Sequence, residues 1–199
     1  MPLTATERNM LATAYERNIA PLRAAYRLSK DTAEDHKQQS YEGHERVKDM
    51  HDEREIVRSD AAATSRVHVS LCWLVQVHNH YNKYFVKPPL LQVLDDLLKV
   101  IRGVALPFEE QAAMKQARKL GASRTFRPTT DNAVMYKKLI ADALRYKAEM
   151  AEEKDELEAA AEAAEGMYGD AWKSANAIYG ITHPVLLSIA LNRAGASCL

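Results

Sequence analysis

The sequence contains few of the residues that interrupt helices. Its 199 residues include seven glycines and seven prolines, about half of the share that these residues have in average proteins. A β-sandwich or β-barrel needs turn residues between many short strands, so this composition argues against both. Alanine, glutamate, lysine and leucine are common instead, and all four favour helices. The composition therefore predicts a fold of long helices.

Cysteines and long apolar runs are also scarce. Cys72 and Cys198 are the only cysteines, which argues against a disulfide framework and favours a reducing compartment. No run reaches the ~18 apolar residues that a transmembrane helix needs. The N-terminal sequence MPLTATERNM lacks the apolar core of a signal peptide. We therefore expect a cytoplasmic protein with no membrane partner.

Net charge is lacking as well, because 27 basic residues balance 27 acidic residues. The two signs are nevertheless segregated. Residues 115–147 carry nine basic and two acidic side chains, whereas residues 149–170 carry nine acidic side chains and one lysine. Nucleic-acid-binding domains usually carry a basic excess throughout, so we expect no nucleic-acid partner. The segregation fits a groove with a cationic floor, and equally two helices whose exposed faces differ in charge.

No motif of catalytic chemistry is present. The sequence lacks a Gly-x-Ser-x-Gly elbow, a glycine-rich phosphate loop and a dinucleotide-binding fingerprint. His44, His51 and Glu55 fall on one face of a predicted helix, and a set of this kind can bind zinc. A solvated polar face explains this loose spacing as well. We therefore expect no enzyme, no bound metal and no cofactor.

Apolar periodicity predicts helices along most of the chain. The first helix begins at a capping box of Thr4 and Glu7, and we expect Pro21 to kink it. Gly103 and Pro107 should loosen or end a later helix. The predicted helices cover about residues 4–30, 32–58, 90–104, 108–120, 130–165 and 167–179, with weak points at Gly166 and Gly169, and a last helix starts at Thr182-His183-Pro184.

One segment departs from helical periodicity. From Val67 to Val77 every odd-numbered residue is apolar, and most even-numbered residues are polar. This alternation, in a stretch rich in β-branched residues, predicts a strand. A lone strand among helices would leave its backbone groups without partners, so the segment differs in kind from the rest of the chain.

Several segments resemble one family of helical proteins. Glu7–Arg27 resembles the third helix of the 14-3-3 proteins, and Leu90–Pro107 resembles the second half of the fourth. Met135–Met150 resembles the fifth helix. Met167–Asn192, with its Thr-His-Pro turn, resembles the sixth helix and the start of the seventh. These segments occur in the order of the family's helices.

The resemblance implies both a fold and a function. The implied fold is an all-α, antiparallel helical array of the 14-3-3 type. It forms a single domain over residues 1–199, incomplete at both ends, with a non-family insertion around residues 59–89. The implied function is that of an adaptor that binds phosphoserine or phosphothreonine peptides of signalling proteins. The family's first two helices form most of its dimer interface and have no counterpart in this sequence, so a dimer of the family type is not expected.

The resemblance also implies which residues bind the peptide. Three of them match the family's phosphate-binding residues, namely Arg23, Arg145 and Tyr146. Lys138 matches a basic residue beside them, and Asn192 matches the asparagine that holds the peptide backbone. Arginine forks and a tyrosine hydroxyl suit a phosphate dianion, because both donate hydrogen bonds to its oxygens. Lys138 and Arg145 are seven residues apart and share a helical face, as ordinary surface charges also do.

Three features depart from the family pattern. Glu16 stands at the position of a phosphate-binding lysine, where a carboxylate would repel phosphate. Pro21 precedes Arg23 by two residues and can re-aim it. After Asn192 the sequence RAGASCL replaces the family pattern. An alternative therefore stays open: a truncated helical remnant that has lost dimerisation and phosphopeptide affinity.

Overall fold

The computed structural model describes residues 4–52, 73–121 and 129–197. Every regular element in these three ranges is helical, which confirms the predicted all-α class. Within the same ranges, no helix combines the length and the apolar character that crossing a bilayer requires.

Seven helices and two short π-helical segments follow one another along the described chain. The helices are α1 (Ala5–Asp52), α2 (residues 73–81), α3 (Lys87–Val100), α4 (Leu106–Lys119), α5 (Asp131–Glu149), α6 (Lys154–Asn176) and α7 (Pro184–Ala196). The π-helical segments are Asn82–Val86 and Ile101–Ala105. They join α2 to α3 and α3 to α4 without a loop. The helix does not end at Gly103 or Pro107, but it widens to π-helical geometry over the segment that contains Gly103, as expected of a residue that loosens it.

The N-terminus of α1 has the predicted capping box. The Thr4 backbone N–H donates to Glu7 Oε2 (2.7 Å), and the Glu7 N–H donates to Thr4 Oγ1 (3.2 Å). These two bonds satisfy amides that have no partner within the helix. From there α1 continues for 48 residues through Pro21, so the two helices predicted up to residue 52 are one. The kink at Pro21 stays a prediction.

The strand predicted for residues 67–77 is wrong where the structure describes it. Residues 73–77 belong to α2, and residues 67–72 lie outside the described ranges. Trp73, Val77 and Tyr81 are exposed at four-residue spacing, whereas Leu74 and His78 are half-buried. Apolar residues thus line the exposed face of a helix. The strand prediction failed because it assumed that the apolar residues of the alternating pattern are buried, whereas Trp73 and Val77 are exposed.

The single helix predicted for residues 130–165 is also wrong. The chain stays helical through Gly166 and Gly169, but it breaks at residues 150–153, where neither glycine nor proline occurs. Met150 is only 2% exposed at this break. Beyond it, α6 packs along α5. Packing between the helices, rather than local propensity, therefore accounts for where α5 ends.

The chain divides into two compact units. One comprises Met1–Asn18 and Leu91–Leu199, and the other comprises Ile19–Leu90. In the first unit α5 packs against α4, α6 and α7. The most deeply buried large apolar side chains of this unit, each at most 1% exposed, are Leu94, Ile101, Val134, Tyr136, Ile140, Tyr168, Leu186 and Ile189. In the second unit Ala33, Val86 and Leu90 are buried.

Candidate functional site

Thr130 determines where α5 begins. Its hydroxyl oxygen accepts the Ala133 N–H (3.2 Å), and its hydroxyl donates to Glu109 Oε1 on α4 (2.9 Å). Glu109 is 7% exposed, so the same hydroxyl satisfies a buried carboxylate. The cap therefore links the start of α5 to α4 and helps to position the residues that follow.

A row of charged residues runs along one side of α5. Successive members are three or four positions apart, so each lies about one turn from the next. The row consists of Lys138, Asp142, Arg145 and Glu149.

The charges in this row form two ion pairs. Lys138 Nζ lies 2.7 Å from Asp142 Oδ2, and Arg145 Nη1 lies 2.6 Å from Glu149 Oε1. All four side chains are between 11% and 17% exposed. Solvent screens such pairs only weakly. Removal of one partner would leave the other as an unpaired, largely buried charge, which destabilises the fold. Each cation of the row is therefore already matched by an anion on its own helix.

Asp142 connects three helices through its carboxylate. In addition to Lys138, it accepts hydrogen bonds from the Tyr168 hydroxyl on α6 and from Asn192 Nδ2 on α7 (2.8 Å). Both of the latter bonds end on Oδ1. The residue is only 8% exposed, and these donors compensate for burying its charge. Asp142 is therefore the point at which the polar groups of α5, α6 and α7 meet.

Arg145 is held on two sides. Its Nε donates to the Tyr168 hydroxyl (3.3 Å), and its guanidinium carbon lies 4.6 Å from the centroid of the Tyr146 ring, at cation–π distance. Burial lowers the pKa of Arg145, but the hydrogen bond to Tyr168 and the electrostatic interactions with Tyr168, Tyr146 and Glu149 outweigh it. The net pKa shift is upward, so Arg145 stays cationic in this setting.

The pKa of the Tyr168 hydroxyl is strongly raised. Burial is the largest cause that raises the pKa of Tyr168 far above its ordinary value, and the neighbouring Asp142 carboxylate is the next. The hydrogen bond from Arg145 acts in the opposite direction but is weaker. The hydroxyl therefore keeps its proton and donates a hydrogen bond to Asp142 Oδ1.

Four of the five residues implied by the resemblance lie together. Lys138 and Asn192 both donate to Asp142, while Arg145 stacks on Tyr146 and reaches the same carboxylate through Tyr168. A salt bridge between Arg193 and Glu165 also joins α7 to α6 beside them. We call the group of Lys138, Asp142, Arg145, Tyr146, Glu149, Tyr168 and Asn192 the α5–α7 cluster.

The remaining predicted residue lies in the other unit. Arg23 is half-buried on α1, within Ile19–Leu90. Glu16, which replaces a phosphate-binding lysine of the family, is exposed on the part of α1 that belongs to the first unit.

Sequence reasoning missed three members of the cluster. Asp142 and Glu149 each lie four residues after a predicted cation, so the spacing contained a signal for both pairs. Tyr168 gave no such signal, because its partners are 23 and 26 residues away along the chain. Only the packing of α6 on α5 brings its hydroxyl to them.

The cluster offers several hydrogen-bond donors. Arginine, lysine, tyrosine and asparagine can together hold a phosphate and an extended peptide backbone. Among the described residues, no group of three or more histidine, cysteine, aspartate or glutamate side chains could hold a metal ion. The side chains of His44, His51 and Glu55 fall outside the part of the chain that the structure describes.

A family model matches part of the chain. Residues 120–194 match the family model described as 14-3-3 protein. This range contains all of α5, α6 and the cluster, and most of α7. No curated protein matches the chain.

Proposed function

We propose, from the premise that this chain is a partial, divergent member of the 14-3-3 family, that it is an adaptor for phosphorylated proteins. Arg145 and Tyr146 bind the phosphate of a phosphoserine or phosphothreonine. Lys138 assists beside them, and Asn192 holds the peptide backbone. The adaptor acts in the cytoplasm, regulates signalling proteins by binding them, and catalyses no reaction.

One observation above all supports this proposal. Lys138, Arg145 and Asn192 are separated by up to 54 positions in the sequence, yet hydrogen bonds through Asp142 and Tyr168 join them into one cluster. Such a cluster can contact a phosphate and the adjoining main chain together.

The two ion pairs determine how binding proceeds. A phosphate that approaches Arg145 competes with Glu149, and one that approaches Lys138 competes with Asp142. Phosphate carries close to two negative charges and three acceptor oxygens, whereas each carboxylate carries one charge. The phosphorylated side chain therefore competes better than an unmodified serine or threonine, which brings no charge.

A peptide titration tests the proposal directly. A labelled peptide with the pattern Arg-Ser-x-phosphoserine-x-Pro and its unphosphorylated twin are titrated with the purified chain, and fluorescence anisotropy is measured. We expect binding that requires the phosphate. Arg145→Ala should weaken it about tenfold or more, because hydrogen bonds between charged groups are among the strongest in proteins.

Lys147→Ala provides the matched control. Lys147 lies on the same helix, but its ammonium pairs with Asp95 (2.8 Å) rather than with the cluster. This variant should keep the affinity of the unmodified chain. Equal binding of the two peptides, or binding of neither, would contradict the proposal and support the non-binding helical remnant.

A further inference from the structure

We propose that Tyr168 and Asp142 form a positioning pair, which aims the Arg145 guanidinium and the Asn192 amide toward the bound phosphopeptide. This inference rests on the proposed function and adds to it two residues that touch no ligand themselves. It assigns a role to a buried tyrosine and a buried carboxylate that the resemblance did not single out.

The first step concerns the Arg145 guanidinium. A guanidinium has five N–H donors in a fixed plane. Nε points to the Tyr168 hydroxyl, and Nη1 points to Glu149. With these two directions fixed, the plane of the group is fixed as well. The other Nη hydrogens then face a direction that Tyr168 and Glu149 determine.

The second step concerns the Asn192 amide. Its Nδ2 donates to Asp142 Oδ1 over 2.8 Å. A flipped amide would place its oxygen against the carboxylate, which repels it, so Asp142 selects one of the two amide orientations. In that orientation Oδ1 and the second N–H of Asn192 point away from Asp142. These two groups match the N–H and C=O that an extended peptide backbone presents.

The third step links the two effects. Asp142 Oδ1 accepts from both Tyr168 and Asn192, so the orientations of Arg145 and Asn192 depend on the same oxygen atom. Tyr168 is fully buried and Asp142 nearly so, and side chains packed in this way have few alternative rotamers. Removal of the Tyr168 hydroxyl should therefore misalign Arg145 and loosen the carboxylate that orients Asn192.

Tyr168→Phe tests the inference because it removes one oxygen and keeps the buried ring. We expect the affinity for the phosphorylated peptide to fall about three- to tenfold, which corresponds to the net contribution of one typical hydrogen bond. Tyr136→Phe is the control, since Tyr136 is equally buried on α5 but is not a member of the cluster. The control should bind as the unmodified chain does.

A double-mutant cycle separates positioning from general loss of structure. Lysine has no Nε–H to donate to the Tyr168 hydroxyl, so Tyr168→Phe should reduce affinity less in an Arg145→Lys background than in the unmodified chain. Only the effect on Asn192 through Asp142 remains in that background. If the two substitutions instead reduce affinity independently, Tyr168 acts as an ordinary buried residue and the inference is wrong.

A measurement without ligand keeps the inference apart from the proposed function. In an NMR spectrum, the Arg145 Nε–H signal is assigned by its loss in Arg145→Lys. It should exchange with water at least about tenfold faster in Tyr168→Phe than in the unmodified chain, because the hydrogen bond that protects it is gone. Unchanged exchange overturns the positioning role, whether or not phosphopeptide binds. Absence of binding together with faster exchange contradicts the proposed function alone.

Discussion

Asp142 illustrates how much a single residue can depend on the whole chain. Its three donors lie 4, 26 and 50 residues away in the sequence. The nearest, Lys138, follows from helical spacing and could be predicted from the sequence. Tyr168 and Asn192 could not be placed beside it, because their positions depend on the break at residues 150–153 and on the packing of α6 and α7.

The buried phenol of Tyr168 predicts a specific sensitivity to alkali. Its pKa is raised in the folded state, mainly by burial, so the folded chain favours the neutral phenol. An unfolded chain ionises this tyrosine near its ordinary pKa of 10.0. The contribution of Tyr168 to stability is therefore fully present below about pH 10 and is lost progressively above it.

Urea unfolding at about pH 8 and about pH 10.5 measures this effect. The free energy of unfolding should fall less over this interval in Tyr168→Phe than in the unmodified chain. An identical fall in the two proteins would mean that other groups cause the alkaline loss.

At the scale of single elements, the N-terminal cap of α1 was easier to predict than the C-terminal end of α5. Thr4 and Glu7 form the expected capping box because their contacts span three residues. The end of α5 was missed because the sequence across residues 150–153 favours helix. There, the gain from packing α6 along α5 outweighs the local preference.

The cap of α5 gives a prediction about stability. Thr130→Ala should lower the free energy of unfolding by about 2 kcal/mol, because it removes the N-cap and leaves the buried Glu109 carboxylate without this donor. Thr129→Ala, at the preceding position, is the control and should cost less. Urea denaturation measures both, and a loss under about 0.5 kcal/mol for Thr130→Ala would contradict the role of the cap.

At the scale of the whole molecule, the segregation of charge along the sequence does not by itself indicate a positively charged surface, because the structure pairs several of the basic residues with carboxylates. The basic segment 115–147 was compatible with a cationic floor. In the described part of the chain, Lys138 and Arg145 are instead paired with carboxylates of their own helix, and Lys147 is paired with Asp95. Composition detects an excess of charge along a segment, but it cannot detect which partners the fold supplies.

Exposed aromatic residues predict how the whole molecule behaves in solution. Tyr81 and Phe85 stack with ring centroids 5.9 Å apart, although they are 50% and 63% exposed. Contiguous exposed apolar surface promotes self-association, and salt strengthens this tendency. Phe85→Glu should therefore reduce the apparent mass measured by light scattering at high salt.

Met10→Glu provides the comparison for this experiment. Met10 is 66% exposed, but it lies on α1 and outside the stacked pair. The substitution adds the same charge, so it should leave most of the association in place. An equal reduction in both variants would attribute the effect to net charge instead.

The two ion pairs on α5 also have a consequence for the speed of recognition. Lys138, Asp142, Arg145 and Glu149 carry charges that cancel at a distance, so these four residues exert little long-range pull on a passing phosphate. Association through them should then proceed at the modest rate of an unsteered encounter and change little with ionic strength. Differences in affinity between peptides should then arise mainly from their dissociation rate constants, which stopped-flow dissociation experiments measure.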